Sequence, residues 1–429
     1  MRGILAFALW LGLFGAGWAA GASVAGAEKD VTAEMEKLGN PFLKAYPNPY
    51  ARNVWSMKAF DGKLFAGAAN YDNGGPGAFP QKTQIFAFDP ATKKFALEYT
   101  APDDQLYEFR VINGDLCVPG CDPTADWSMG NFYTRKAGSP KWEMHRVLPE
   151  QLHTWDMCAR DGKIFTCGYH ITVSADGGKT FSIIKGLHHA RYYAFFVFPN
   201  NIYSFNESWS NDAAYFIAYE HKEKTFVWRG NIGKKVVMPD TKLDKETENS
   251  HLIRTWSFKD KVLYNMGTLR RVVGGYCAAD GKLKQNDGKV TVKGKSGRPK
   301  VLQGPRVWVP GLKVTRAKTP PEADYMTFAV TDAKAYLCYA VKTADDAPGG
   351  KWRNHVMVSD NGLAWKPLLA FDCPTFARSI EVMDGFLYFG LGANFKDPGI
   401  AKGNDMIYKW SPDELSPAAG EIWRVKLLE

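Results

Sequence analysis

Short apolar runs of strand length alternate along this chain with polar turn residues, and one unit recurs: a strand, a tight turn and a second apolar strand. The clear copies are Trp55–Gly67, Phe109–Gly120, Trp155–Gly168 and Tyr193–Tyr203, and weaker ones start at Arg254, Met326 and Arg378. Asp61-Gly62, Asn113-Gly114, Asp161-Gly162 and Asp384-Gly385 mark turns, with Asp260 and Asp332 in the weaker copies. Asp-Gly and Asn-Gly tolerate the positive φ angles that a two-residue hairpin demands. A second hairpin lies between copies, clearest at Ile85–Phe95, where Asp89-Pro90 opens the turn, and again at Tyr219–Trp228 and Met406–Trp423. Two hairpins make a four-stranded antiparallel unit. Seven units of roughly 40–70 residues predict an all-β, seven-bladed β-propeller. A blade cannot bury both faces alone, and closing the ring removes exposed ends. The seventh unit is expected to carry its own last strand, Glu421–Leu428, so that closure borrows nothing from the N-terminus. Two β-sandwiches would house the strands but leave seven similar hairpins unexplained.

The ends refine this picture. Arg2, the apolar stretch Ile4–Trp18 and the small residues Ala25-Gly26-Ala27 read as a cleaved export signal over 1–27, hence a secreted or periplasmic protein with no membrane span in the mature chain. Residues 28–52 form an N-terminal extension and 53–429 the propeller. The formal charge of +9 suggests an acidic partner. Outside the cell that partner is a glycan rather than nucleic acid. Seven cysteines, at 117, 121, 158, 167, 277, 338 and 373, match no zinc-finger spacing and leave one over if the rest pair.

In a propeller, loops that leave second strands and loops that lead into first strands share one face, where ligands bind. Into first strands lead His153, Arg191, Arg254 and Arg378, with Trp55, Tyr107 and Trp155 at equivalent places; after second strands come Asn70, Asp122, His170, Asn206, Glu207 and Asn394. Arginine clamps a carboxylate or sulfate and aromatic faces stack on sugar rings, so an acidic sugar suits the set. Arg191, Arg254, Arg378, Trp155, Asn206 and Asn394 are the candidate substrate-binding residues. His153 and His170 flank one inner hairpin at the same end, where either serves as a base or neutralises a carboxylate. Tyr215 and Arg229 bracket the outer hairpin of the fourth unit, and His188-His189 precede it in a solvent-facing loop.

The order His153, His170, Tyr215, Arg229 resembles the seven-bladed propeller polysaccharide lyases, the ulvan lyases and relatives that act on glucuronic-acid linkages. The resemblance implies β-elimination on a uronate polysaccharide: Arg229 and one histidine neutralise the carboxylate, the other histidine or Tyr215 removes the C5 proton, and Tyr215 protonates the leaving oxygen. No cofactor is required. A structural zinc or calcium stays open, with His251, Cys277 and Cys338 as conceivable zinc ligands. Ser174–Phe181 resembles the Asp-box (BNR repeat), S-x-D-x-G-x-T-W, of sialidase-like propellers; Val358–Trp365 is similar, with Asp360 and Trp365 in register. These motifs brace turns on the face away from the ligand. No Arg-Ile-Pro segment or Tyr–Glu pair of a sialidase accompanies them. Two other readings stand beside the lyase: a non-catalytic propeller that binds a glycan or protein, and a sialidase-fold hydrolase using Asp122, Asp156 or Glu207.

Residues 270–318 break the blade rhythm with 13 Lys or Arg against two acids, Asp280 and Asp287. This basic insertion either steers a polyanion to the mouth or is simply solvated. Asn206-Glu207-Ser208 fits a glycosylation sequon.

Overall fold

The computed structural model describes residues 28–46, 49–68, 82–206, 213–239, 251–267, 272–279, 283–285, 289–293, 299–303, 308–310, 312–320, 322–344, 350–393 and 416–427. The expectations placed on residues 1–27, Asn70, Glu207 and Asn394 lie outside them, as does the start of the Met406–Trp423 hairpin.

Seven antiparallel sheets make seven blades. Blade 1 consists of Val54–Phe60, Lys63–Ala68, Thr83–Asp89 and Lys94–Ala101. In blade 2 the inner strand is broken: Asp103–Leu106 and Arg110–Ile112 both pair with the long strand Asp115–Pro123, followed by Met129–Arg135 and Trp142–Pro149. Blade 3 runs Thr154–Arg160, Lys163–Gly168, Ile171–Ser174 and Ser182–Ile183. Blade 4 runs Phe196–Val197, Ile202–Phe205, Ala213–Glu220 and Thr225–Gly233. Blade 5 holds His251–Phe258, Lys261–Gly267, Val272–Ala279 and Lys313–Arg316. Its last two strands fall within the basic stretch 270–318, so the insertion proper is 280–312, and it leaves the blade beside the Asp260 turn, at the end away from the start of the inner strand. Two small strand pairs lie in that insertion. Blade 6 is Asp324–Val330, Ala335–Ala344, Lys351–Ser359 and Lys366–Cys373.

Blade 7 corrects the expected closure. Ala377–Met383, Phe386–Leu391 and Ile422–Lys426 are its first three strands, and its fourth is Glu36–Gly39 from the N-terminal segment. Ile422–Lys426 would otherwise present an open edge of unpaired backbone groups. Lys37 Nζ reaches Glu421 at 2.5 Å and Arg424 Nε reaches Glu36 at 2.7 Å, so charge pairs sew the seam. Lys29–Asp30 then adds in parallel to the outer strand of blade 6.

Period-two alternation gives each blade two apolar faces. In blade 1, Leu64 and Ala66 pack toward blade 7 with Tyr388 and Ile422, while Phe65 packs toward blade 2 with Leu116 and Trp142. In blade 5, Val262, Tyr264 and Met266 face blade 4, and Leu263 faces blade 6. The same rule fills the layers between blades 2 and 3, 3 and 4, and 6 and 7. Val31 enters the 6–7 layer, and Phe42 and Tyr46 enter the 7–1 layer. The four Asp-Gly and Asn-Gly turns adopt positive φ at both residues, as at Asp61 (52°) and Gly62 (72°).

The two braced turns differ from each other. In the first, Asp176 accepts the backbone N–H groups of Lys179 and Thr180, each at 3.0 Å, while Ser174 Oγ accepts from Gly178 at 2.8 Å. In the second, Asn361 accepts from Leu363 and Ala364 at 2.8 and 2.9 Å, and Ser359 Oγ accepts from Gly362 at 2.9 Å. The second turn is one residue shorter. Ser359 and Asn361, rather than Val358 and Asp360, are therefore the counterparts of Ser174 and Asp176.

Candidate functional site

Inner strands begin at one mouth of the central channel and run toward their hairpin turns. The mouth is lined by Trp55, Tyr107, Trp155 and Tyr193 from blades 1 to 4, which form one buried cluster with Cys121. Their ring centroids step round the mouth at 5.4 Å (Trp55–Tyr107), 6.5 Å (Tyr107–Trp155) and 4.2 Å (Trp155–Tyr193). Tyr325 of blade 6, stacked on Phe376, continues the set. Large aromatics at the first inward positions narrow the channel by packing on one another, each 5% exposed or less.

Beneath them lies a buried charged layer. Arg110 grips Asp156 with Nε and Nη2 at 2.8 and 3.1 Å and donates to the Thr255 carbonyl across the channel at 3.0 Å. Asp156 also accepts the backbone N–H of Phe195 at 2.9 Å. Arg254 pairs with Glu108 at 3.1 Å and donates to the Trp55 carbonyl. Burial pushes the Glu108 carboxyl upward, against the pull of Arg254 and Arg110. These groups tie blades 1 to 5 together through the axis. Toward the hairpin ends the channel opens into a cavity of about 190 Å³ lined in part by Lys58, Arg110, Trp256 and Glu381.

On the rim above blades 3 and 4 stands a group of imidazoles. His153 lies between Trp155 (5.3 Å) and Tyr169 (4.9 Å), and its Nδ1 is 2.9 Å from Asp122 Oδ1. Tyr169 stacks on His189 at 5.5 Å, and His189 meets His170 at 4.5 Å. Partial burial and the neighbouring His189 lower the pKa of His170, opposed by Glu150. His188 stacks on Tyr215 at 4.2 Å, and Tyr215 leans on the exposed Trp228 at 6.2 Å. Arg191 Nη2 donates to the Tyr169 hydroxyl at 3.2 Å, with the guanidinium over the ring at 5.5 Å. A continuous run of rings thus joins His153, Tyr169, His189 and His170, with the His188–Tyr215 stack attached through the next residue in the chain.

The structure thereby gathers His153, His170, Tyr215, Arg191 and Trp155 at one mouth. Arg378 joins them from blade 7, its guanidinium 3.8 Å above Trp55 and 6.0 Å from Tyr325. Three expected members do other work. Arg229 occupies a bulge in the outer strand and pairs with Glu220 at the far turn, away from Tyr215. Arg254 is buried in the Glu108 pair. Asn206 is buried and accepts from Tyr215 N at 2.8 Å, which pins two strands and removes it as a glycan acceptor. The conceivable zinc ligands do not converge: Cys277 is in the layer between blades 5 and 6, Cys338 in that between 6 and 7, and the His251 side chain lies outside the described residues. All seven cysteines are buried and free of disulfides. Of the carboxylates considered for hydrolysis, Asp156 is consumed by Arg110.

Sequence reading missed Tyr169, Tyr193 and Cys121 as members of the mouth. Tyr169 and Cys121 each adjoin a residue already singled out, His170 and Asp122, but neighbours on a strand normally face apart. His188 and His189 are exposed as expected, yet packed into the ring of the site.

No family model matches the chain, and no curated protein matches it significantly. Among solved structures it is similar to the GH74 enzyme of Niastella koreensis at 12% identity, with 80% of this chain and 52% of that one covered and a TM-score of 0.45. It is also similar to YCF48 from Cyanidioschyzon merolae at 8% identity, covering 92% and 98% with a TM-score of 0.45. A third similarity, to the endosialidase of phage phi92, has 9% identity, covers 92% and 69%, and has a TM-score of 0.41. These likenesses carry no argument about chemistry; the strand pairing itself establishes the ring.

Proposed function

We propose that this chain is a secreted or periplasmic carbohydrate-active propeller whose mouth takes a uronate-containing polysaccharide and cleaves it by β-elimination. What supports the reading is the gathering of four imidazoles, Tyr215, Arg191 and Arg378 around an aromatic mouth. The half-buried rings of Tyr169 and Tyr215 offer faces to a sugar, while guanidinium groups neutralise a carboxylate and imidazole N–H groups hydrogen-bond to it. Neutralising the uronate carboxylate acidifies the C5 proton. In this reading Arg191 neutralises the carboxylate, His170 and His189 hydrogen-bond to it, and Tyr215, backed by His188, moves the proton. The C4–O bond then breaks as the C4=C5 double bond forms, and the leaving oxygen takes a proton from the same tyrosine or from water. His153 is held by Asp122 and serves as a positioning residue. With Arg229 drawn off by Glu220, Arg191 takes the clamping role in this mechanism.

The test is incubation with a panel of uronate polysaccharides while following ultraviolet absorbance of the unsaturated product. Growth of that absorbance, abolished in Tyr215→Phe, supports elimination; reducing ends released without it would replace elimination by hydrolysis. The exposed Trp127 and Trp228, 67% and 40% accessible, favour a second reading, a glycan-binding module without turnover. Saturable binding with neither signal would establish it.

A further inference from the structure

We propose that Cys121, Asp122 and His153 form a three-ligand site for a zinc-class divalent cation at the floor of the mouth, with one coordination position facing the ligand. The inference is independent of the glycan reading.

The three donors meet at one point. His153 Nδ1 is 2.9 Å from Asp122 Oδ1 and 3.2 Å from Cys121 Sγ, and Sγ is 3.7 Å from Asp122 Oδ2. Around a tetrahedral zinc, bonds of about 2.0–2.3 Å place neighbouring donors roughly 3.3–3.6 Å apart. The two edges at the imidazole, 2.9 and 3.2 Å, are a few tenths of an ångström shorter than this, and the thiol approaches the second carboxylate oxygen at 3.7 Å, so a small outward shift of the side chains makes room for a cation.

The backbone makes this convergence. Cys121 and Asp122 are consecutive on a strand and should point to opposite sides. Asp122 instead has φ of +59°, a left-handed conformation uncommon for a residue with a Cβ. That turn brings its carboxylate round to the side of the Cys121 thiol. Across the gap, Cys121 bridges to His153 in antiparallel fashion and Asp122 N donates to the Leu152 carbonyl at 2.9 Å, which fixes the imidazole opposite both. Two blades thus contribute to one centre.

Hydrogen bonding alone serves these groups poorly. Nδ1 carries at most one proton, yet faces a carboxylate and a sulfur at contact distance. If it donates to Asp122, the thiol is left with a weak 3.7 Å approach to the other carboxylate oxygen. A cation satisfies all three at once and displaces the thiol proton. The donor set, one sulfur, one imidazole nitrogen and one carboxylate oxygen, selects zinc-class ions over calcium or magnesium, which take oxygen. Three protein ligands with a fourth position open is the arrangement of reactive rather than purely structural zinc. The Asp122 and His153 side chains each stay 11% exposed, so water or an anionic oxygen of a ligand in the mouth can reach that position.

The full mature chain, stripped with chelator, loaded with Zn²⁺ and dialysed, should retain one equivalent by elemental analysis. Loaded with Co²⁺, it should show a thiolate-to-cobalt charge-transfer band in the near ultraviolet. Cys121→Ser should lose the band and Cys338→Ser, in a distant layer, should keep it. His153→Gln should weaken zinc binding by at least about tenfold. Chain that retains no zinc, or a cobalt band that survives Cys121→Ser, overturns the proposal. If Cys121→Ser does not fold, the wild-type cobalt spectrum and the His153→Gln affinity decide it: absence of the band, or unchanged affinity, overturns it equally.

Discussion

At the scale of single residues, burial decides what each ionisable group can do. Asp103 is fully buried at the start of the broken strand, with Asn131 donating at 2.9 Å and the Tyr133 hydroxyl also bonded to it. Burial pushes its carboxyl up to about 6 from the ordinary 3.8, against those two hydrogen bonds. At this group the native state is then the better proton binder between these values, so its contribution to stability falls as pH rises from about 4 to about 6. That loss is about 3 kcal/mol for the single group. Asp103→Asn should flatten this part of the profile in denaturant titrations across that range; an unchanged slope would rule out the buried acid as its source. Tyr215 shows the opposite situation, reachable from solvent and stacked on His188. Tyr215→Phe should lower kcat on a uronate polymer by ~100- to 10,000-fold while circular dichroism stays native.

Strands and turns impose their own constraints. The inner strand of blade 2 breaks over Tyr107–Phe109, and that break admits both an aromatic of the mouth and Glu108 of the charged layer. Opposite it, Gly120 leaves room for Asp103: a Cβ there would come within 2.6 Å of the Asp103 carboxyl carbon. Gly120→Ala should cost about 1–3 kcal/mol by overpacking, measured by chemical unfolding, and wild-type stability in that variant would show that the carboxyl can move aside. The Arg254–Glu108 pair joins strands of blades 5 and 2. Arg254→Met should destabilise by about 3–5 kcal/mol because it strands a buried carboxylate. Adding Glu108→Gln should recover part of that loss; no recovery would place the role of Arg254 in its contact with Trp55 instead.

For the whole molecule, the decisive feature is closure. Residues 28–46 supply the fourth strand of blade 7, an added strand on blade 6, and Val31, Phe42 and Tyr46 to two interblade layers. Removing 28–46 should open the ring, lower the melting temperature and abolish a single cooperative transition, and the same segment added as a peptide should restore it. An unchanged melting curve would mean that three strands suffice. Charge also acts at this scale: with +9 overall, binding of a polyanion should weaken steeply with added salt, measured by titration at two ionic strengths.

The sequence by itself determined the blades. Turn residues between alternating strands, Asp-Gly or Asn-Gly in four of the inner hairpins, act locally, through φ angles and period-two burial, so seven hairpins and the mouth-facing positions of His153, His170, Tyr215, Arg191 and Trp155 were legible in it. What only the tertiary structure decided is everything that depends on separation in sequence. Closure pairs Glu36 with Arg424, and no local pattern marks which of two strands completes a blade. Arg229 and Arg254 read as open arginines until folding set Glu220 and Glu108 beside them, because a charged side chain takes its role from the partner it meets. Asp122 joined Cys121 and His153 through one left-handed backbone turn, which reverses the facing that strand alternation assigns.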